Sequence, residues 1–153
     1  MDTTWKVVFD ADDANRLADF WAGALGYEVE DVSPLIENLL AAGHITGDEL
    51  VEHGGRRTWR DYAGIRHPED PVDPRSGIGL GRRVLFQHVP EAKTVKNRLH
   101  IDVQEAHGDP ERLAALVRRL EGLGARVLRE VDQGPAGRWV IMADPEGNEF
   151  CAT

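Results

Sequence analysis

The chain has 153 residues, 41% hydrophobic and 29% charged, a soluble globular balance sized for one domain or for two small modules sharing a core. Asp plus Glu number 27 against 18 Lys plus Arg, and the resulting charge of −9 disfavours holding a phosphate backbone. No apolar run approaches the ~20 residues that cross a bilayer, Met1–Trp5 lacks the basic-then-apolar signature of a secretory leader, and the single cysteine, Cys151, permits no intrachain disulfide.

These features predict a cytoplasmic protein acting on small molecules or on other proteins, with neither nucleic acid nor membrane as partner. The basic cluster Arg56, Arg57 and Arg60 reads as a solvated helix face.

In chain order, Trp5-Lys6-Val7-Val8-Phe9-Asp10 alternates as a strand. Leu17, Phe20, Trp21 and Ala24 then recur at helical spacing after Asp12-Asp13, and Gly26 closes that helix. Tyr27–Val32 alternates as a second strand. Residues 33–77 read as a helical insertion. Ser33-Pro34 opens one helix by the cap-then-proline rule. Thr46 and Glu49 form a capping box for a second over 46–52. Glycines and prolines follow, with a weak third strand around Gly77–Gly81.

Arg82–Val89 reads as a strand, and Asn97–Gln104 is the cleanest alternation in the chain. Pro110 opens a helix with Leu113, Leu116, Val117 and Leu120 on one face, and Gly124 ends it. Ala125–Val131, Trp139–Met142 and Glu149–Ala152 are strands, the last two joined by the turn Asp144-Pro145-Glu146-Gly147-Asn148.

The two halves repeat. The segment around Val7–Asp10 parallels that around His100–Val103, with Asp10 and Asp102 at equivalent places, and Ala24–Val29 parallels Gly122–Val127. The expected fold class is therefore α+β: two βαβββ modules forming a cupped, antiparallel-rich sheet, with a helical insertion in the first. Module one runs over 1–92, including insertion 33–77, and module two over 96–153, within a single domain 1–153.

Strand periodicity supplies the functional clue. Leu99, Ile101 and Val103 point one way, while His100, Asp102 and Gln104 point the other. The strands at 5–10, 83–88 and 149–152 divide similarly, leaving Lys6, Gln87, Glu149 and Cys151 on polar sides. Two readings stay open. An antiparallel sheet often turns a polar face to water, or the sheet curls and holds a ligand on that face. Trp59 and Tyr62, in the insertion, would cap such a cup and stack on an aromatic ligand.

Three stretches carry a family resemblance: Asp19-Phe20-Trp21 with Ala24-Leu25-Gly26-Tyr27, Lys96–Asp102, and Met142–Phe150. Over 1–32 and 82–153 the chain resembles the vicinal oxygen chelate superfamily of glyoxalases, extradiol dioxygenases and bleomycin-resistance proteins, in its glyoxalase-like branch. The resemblance implies a divalent metal (Zn, Ni, Fe, Mn or Co) in a cup, held by His or Glu from the first, fourth, fifth and eighth strands.

Carried over, those positions fall on Lys6, on or near Gln87, on His100 and on Cys151, with Glu149 as the nearby carboxylate. Only His100 matches, so the expected metal donors are His100 and Glu149. His100, Glu149 and Lys6 are the expected catalytic groups. Gln87, Asp102, Cys151, Trp59 and Tyr62 are the expected ligand-binding groups. The expected function is binding of a small organic molecule without the four-ligand metal site. The alternative is a metal-dependent lyase, isomerase or dioxygenase. A homodimer is expected whether the modules pair within the chain or are exchanged between subunits.

Overall fold

The computed structural model describes residues 3–153; Met1 and Asp2, on which the expectation of no secretory leader partly rests, lie outside the described residues. The chain divides into two compact units, one ending at Pro90 and the other spanning Glu91–Thr153.

The first unit contains β1 (Val7–Ala11), α1 (Ala14–Leu25), β2 (Glu28–Val29), α2 (Ser33–Ala41), β3 (Leu50–His53), β4 (Arg56–Trp59), β5 (Tyr62–Arg66) and β6 (Arg83–His88). Its main sheet has the order β1-β6-β5-β2, with β1 and β6 parallel and the other pairs antiparallel. The second unit contains β7 (Asp102–Val103), α3 (Pro110–Leu123), β8 (Arg126–Asp132), β9 (Arg138–Ala143) and β10 (Glu149–Ala152). Its order is β7-β10-β9-β8, with β7 and β10 again parallel. Each unit is thus a βαβββ module whose last strand lies between its first and third. The α+β class and the repeat both stand.

Local chemistry explains the helices. The Asp13 side chain accepts from the Arg16 amide at 3.1 Å, and Gly26 ends α1 in the left-handed region at φ 67°. Leu17, Ala18 and Trp21 are buried, and the Trp21 ring lies 5.3 Å from Phe9, which lies 5.4 Å from Phe86. In the second unit Asp109 caps the Glu111 and Arg112 amides, and Leu116 and Leu120 are buried along with Met142 and Phe150. Truncating a buried aromatic of this kind costs about 3–5 kcal/mol.

Several local expectations change. The Thr46–Glu49 capping box forms, but it starts only one 3₁₀ turn, Gly47–Glu49. Gly54 and Gly55, at φ 57° and 74°, then turn β3 onto β4 as a hairpin, so Arg56 and Arg57 lie on a strand and Arg60 just beyond it, not on a helix. The third strand of the first module is β5, not Gly77–Gly81, where only an isolated bridge joins Val72 to Gly79. Residues 33–77 therefore begin with a helix, continue as a hairpin and supply a strand to the main sheet. Ser33 sits inside α2 as its first residue, its amide bonded to Asp31, not as the cap. The strand expected over 97–104 is only Asp102–Val103, because Asn97 bonds side chains of the 148–149 region instead of a ladder partner.

Candidate functional site

In the first unit, α1 covers one face of the sheet, where Ala11, Ala63, Ile65, Val84 and Phe86 are buried. The pleat puts the alternate residues on the opposite face. Strand register aligns Asp10, Gln87 and Tyr62 in one cross-strand row there, and Val8, Leu85 and Gly64 in the next. Val8 is 44% and Tyr62 47% exposed, so this face is open to solvent.

One end of the same face is filled. The Arg83 guanidinium donates to Glu30 through Nε at 2.8 Å and through a terminal nitrogen at 2.7 Å, and the Gly79 amide adds a third bond at 2.8 Å. Glu30 is buried, and a methyl group at Gly64 would overlap its carboxylate. Lys6 is exposed and immediately precedes β1. Trp59 ends β4, and its carbonyl accepts from Asn15 at 2.9 Å. The expected residues Gln87 and Tyr62 are therefore brought together, whereas Lys6 and Trp59 have no place in their row.

The second unit assembles a different group. Asp102 and Cys151 are register partners, and the Cys151 amide donates to the Ile101 carbonyl at 3.0 Å. His100, two residues before Asp102, brings its Nε2 to 3.6 Å from the Asp102 carboxylate. One donor atom from each of His100, Asp102 and Cys151 lies within 4.8 Å of the others. Burial pushes the Cys151 thiol up, and the Asp102 charge and hydrogen bond push it further, against an opposing pull from Lys96. A thiol donating to a carboxylate in this way is a poor nucleophile.

Glu149 faces other partners. It accepts from the Asn97 amide at 3.0 Å and pairs with the Lys93 ammonium at 3.2 Å. Burial raises its carboxyl, but the Asn97 amide, its own amide and Lys93 together outweigh that and hold it below the usual carboxylate range. Asn97 also donates to the Asn148 side chain at 2.9 Å, and Asp144 accepts from the Asn148 and Glu146 amides. Glu149 thus ties the 93–97 segment to the turn before β10. Sequence reasoning overlooked Glu30 and Lys93; it placed Arg83 on the polar side of its strand without a partner and met Asn97 only within the Lys96–Asp102 stretch. Their partners lie far along the chain, and only the glycines at 64 and 79, which make room for Glu30, hinted at the pair.

The four-position metal set implied by resemblance does not fit this chain. Lys6 is a cation and cannot coordinate, Gln87 is neutral, and Glu149 is engaged by Lys93 and Asn97. A second set, one imidazole, one carboxylate and one thiol, is close enough to fit a divalent ion.

Paired βαβββ modules with helices on one face and polar groups on the other define the vicinal oxygen chelate class. Within it, a family model described as a glyoxalase-like domain matches residues 6–153, and the chain belongs to that family. No curated protein matches the chain in sequence.

Among solved structures, a hypothetical protein from S. aureus superposes with TM-score 0.58 at 16% identity, covering 99% of this chain and 93% of that one. The fosfomycin resistance protein FosX from Mesorhizobium loti gives 0.57 at 12%, covering 99% and 90%. A mutant of FosX from Listeria monocytogenes, complexed with Mn(II) and 1S,2S-dihydroxypropylphosphonic acid, gives 0.58 at 13%, covering 99% and 91%. At these identities the likeness is one of fold.

Proposed function

We propose that the protein binds a small organic molecule against the sheet faces that its helices leave uncovered. The observation carrying this reading is the first unit's open face. There an apolar row, Val8 and Leu85, lies beside the polar row Asp10, Gln87 and Tyr62. Ligand sites combine apolar area with a few placed polar groups in this way. Tyr62 would stack on a flat ligand, and Gln87 and Asp10 would orient its polar groups.

Saturation-transfer NMR with small aromatic and heterocyclic compounds tests it. Hits should lose at least about tenfold in affinity in Tyr62→Ala and Gln87→Ala, that is about 1.4 kcal/mol. Hits indifferent to both changes would sink the reading.

A second reading is favoured by the donors of the second unit: a divalent-metal-dependent lyase, isomerase or dioxygenase. The ion would act as a Lewis acid on substrate oxygens, held by His100, Asp102 and Cys151. Elemental analysis of protein purified without chelator tests this. Stoichiometric metal, lost in His100→Ala, supports it, and metal-free protein with no thermal shift on adding divalent ions opposes it.

A cytoplasmic homodimer completes the proposal. No described helix is long and apolar enough to cross a membrane. The edge strand β8 exposes Val127 and Leu128, and light scattering reads the assembly.

A further inference from the structure

We propose that Arg83, aimed and neutralised by buried Glu30, sets which ligands the open face of the first unit takes: flat, uncharged molecules that carry a carbonyl-type acceptor, in preference to their carboxylate counterparts. This rests on the small-molecule reading and names the ligand chemistry of that same face.

A spare donor carries the inference. Arg83 spends Nε and one terminal nitrogen, Nη2, on the two carboxylate oxygens of Glu30, at 2.8 and 2.7 Å. Its other terminal nitrogen, Nη1, bonds to no described residue. Among the described residues, every buried side-chain nitrogen and oxygen has a partner. Nη1 therefore lies in the small part of the Arg83 side chain, 14% exposed, that solvent reaches. A guanidinium holds its five N–H groups in one rigid plane. Locking one edge of that plane on Glu30 fixes where the remaining donors aim.

The surroundings fit a ligand of one or two rings. Val84 and Phe86 are buried under α1, so Arg83, Leu85 and Gln87 share the open face. A methyl group at Gly64 would overlap the Glu30 carboxylate and lie 2.9 Å from Arg83 Nη2, which places the guanidinium over Gly64. Tyr62 stands two residues along β5 on the same face, about 7 Å away. A ring stacked on Tyr62, beside Val8 and Leu85, spans that gap and brings an exocyclic oxygen to Nη1.

Charge selects the kind of oxygen. Glu30 already cancels Arg83. Arg66, the register partner of Arg83, is spent on Glu28 and on the His67 and Pro68 carbonyls. Asp10, in the row with Tyr62, is an exposed carboxylate that repels an anion. A carboxylate ligand would give up its hydration for a donor with no net charge to offer, whereas a carbonyl oxygen needs only the one N–H.

The test titrates full-length protein, labelled with nitrogen-15 at arginine, with three flat probes: 2-quinolone, quinoline-2-carboxylate and indole, which has no acceptor. The quinolone should bind at least about tenfold tighter than either of the others, the effect of one hydrogen bond from a charged donor. It alone should shift the Arg83 guanidinium resonance. Arg83→Lys leaves Glu30 a cation but removes the forked donor. It should weaken quinolone binding by about tenfold and leave indole unchanged. Glu30→Gln leaves the guanidinium uncancelled and should raise quinoline-2-carboxylate affinity by about tenfold, a reversal that a purely structural role for Glu30 would not produce. Arg83→Lys and the labelled resonance decide the question even if Glu30→Gln fails to fold.

Carboxylate binding as tight as quinolone binding in the unaltered protein, a guanidinium resonance unmoved by quinolone, or unchanged quinolone affinity in Arg83→Lys would overturn the inference. If the probes then still bind and Tyr62→Ala abolishes that binding, the small-molecule reading stands without Arg83. If none of the three binds, the inference falls, and the wider compound screen decides the small-molecule reading by itself.

Discussion

In the first unit the sheet face opposite α1 ends in Arg83 clamped on buried Glu30. In the second, the matching face carries His100, Asp102 and Cys151, partly exposed and close together. The helix-facing positions have stayed alike: Phe86 and Phe150 occupy the same place in the two modules, as do Ala11 and Val103, and all four are buried. The open-face positions differ, with Val8 standing where the other module has His100. The connection between the third and fourth strands differs as well. It is the long segment 67–82 in one unit and the tight turn 144–148 in the other. A repeat conserves what packs under its helix and is free to vary what faces away. One module therefore uses its open face for an internal ion pair, while the other keeps three metal-competent donors accessible.

The contrast breaks most sharply at Arg83. Arg83→Ala strands a buried carboxylate and should cost about 3–5 kcal/mol. His100→Ala, at a half-exposed position, should cost less than about 1 kcal/mol. Urea unfolding of the two variants measures both, and equal losses would erase the distinction. Glycines give the next test. Gly64→Ala collides with Glu30 and should destabilise by about 1–3 kcal/mol. Gly122→Ala, in α3 with open space around it, should stabilise by up to about 1 kcal/mol.

Glu149→Gln should cost about 1–2 kcal/mol. Its signature would be local: faster hydrogen exchange at the Asn97 amide with little change in the first unit. The smallest effect belongs to the 67–82 connection. The Arg82 side chain and amide hold the Asp70 carboxyl at about 2. A folded value below the ordinary ~3.9 means the carboxylate stabilises the fold above that pH and loses its contribution as pH falls through 2. Carboxyl-carbon NMR should find this midpoint, and Arg82→Ala should return it toward about 4.

Much of the scaffold was legible because its signals are local. Gly26 ends α1 and Gly124 ends α3 as expected, and Pro110 opens α3 directly after its cap, Asp109. The capping box at Thr46 misled because it is equally good at starting a single 3₁₀ turn, and two adjacent glycines then decided for a hairpin. Strand β5 was missed because Ala63 and Gly64 have weak strand preference; burial on both sides, not propensity, makes them a strand. Within the site, alternation placed His100, Asp102 and Cys151 on one side. What alternation cannot convey is register, which set Cys151 against Asp102, or competition, which gave Glu149 to Lys93 and Asn97.

The strand order has a consequence for biosynthesis. In each module the strand made last, β6 or β10, sits between neighbours made earlier. Until β10 leaves the ribosome, β7 has no partner in its sheet, and the thiol lies far along the chain from the imidazole and carboxylate. A nascent chain can therefore complete its first module before the second, yet it cannot gather the three donors until its final strand inserts. Any ion captured there would arrive after folding instead of guiding it.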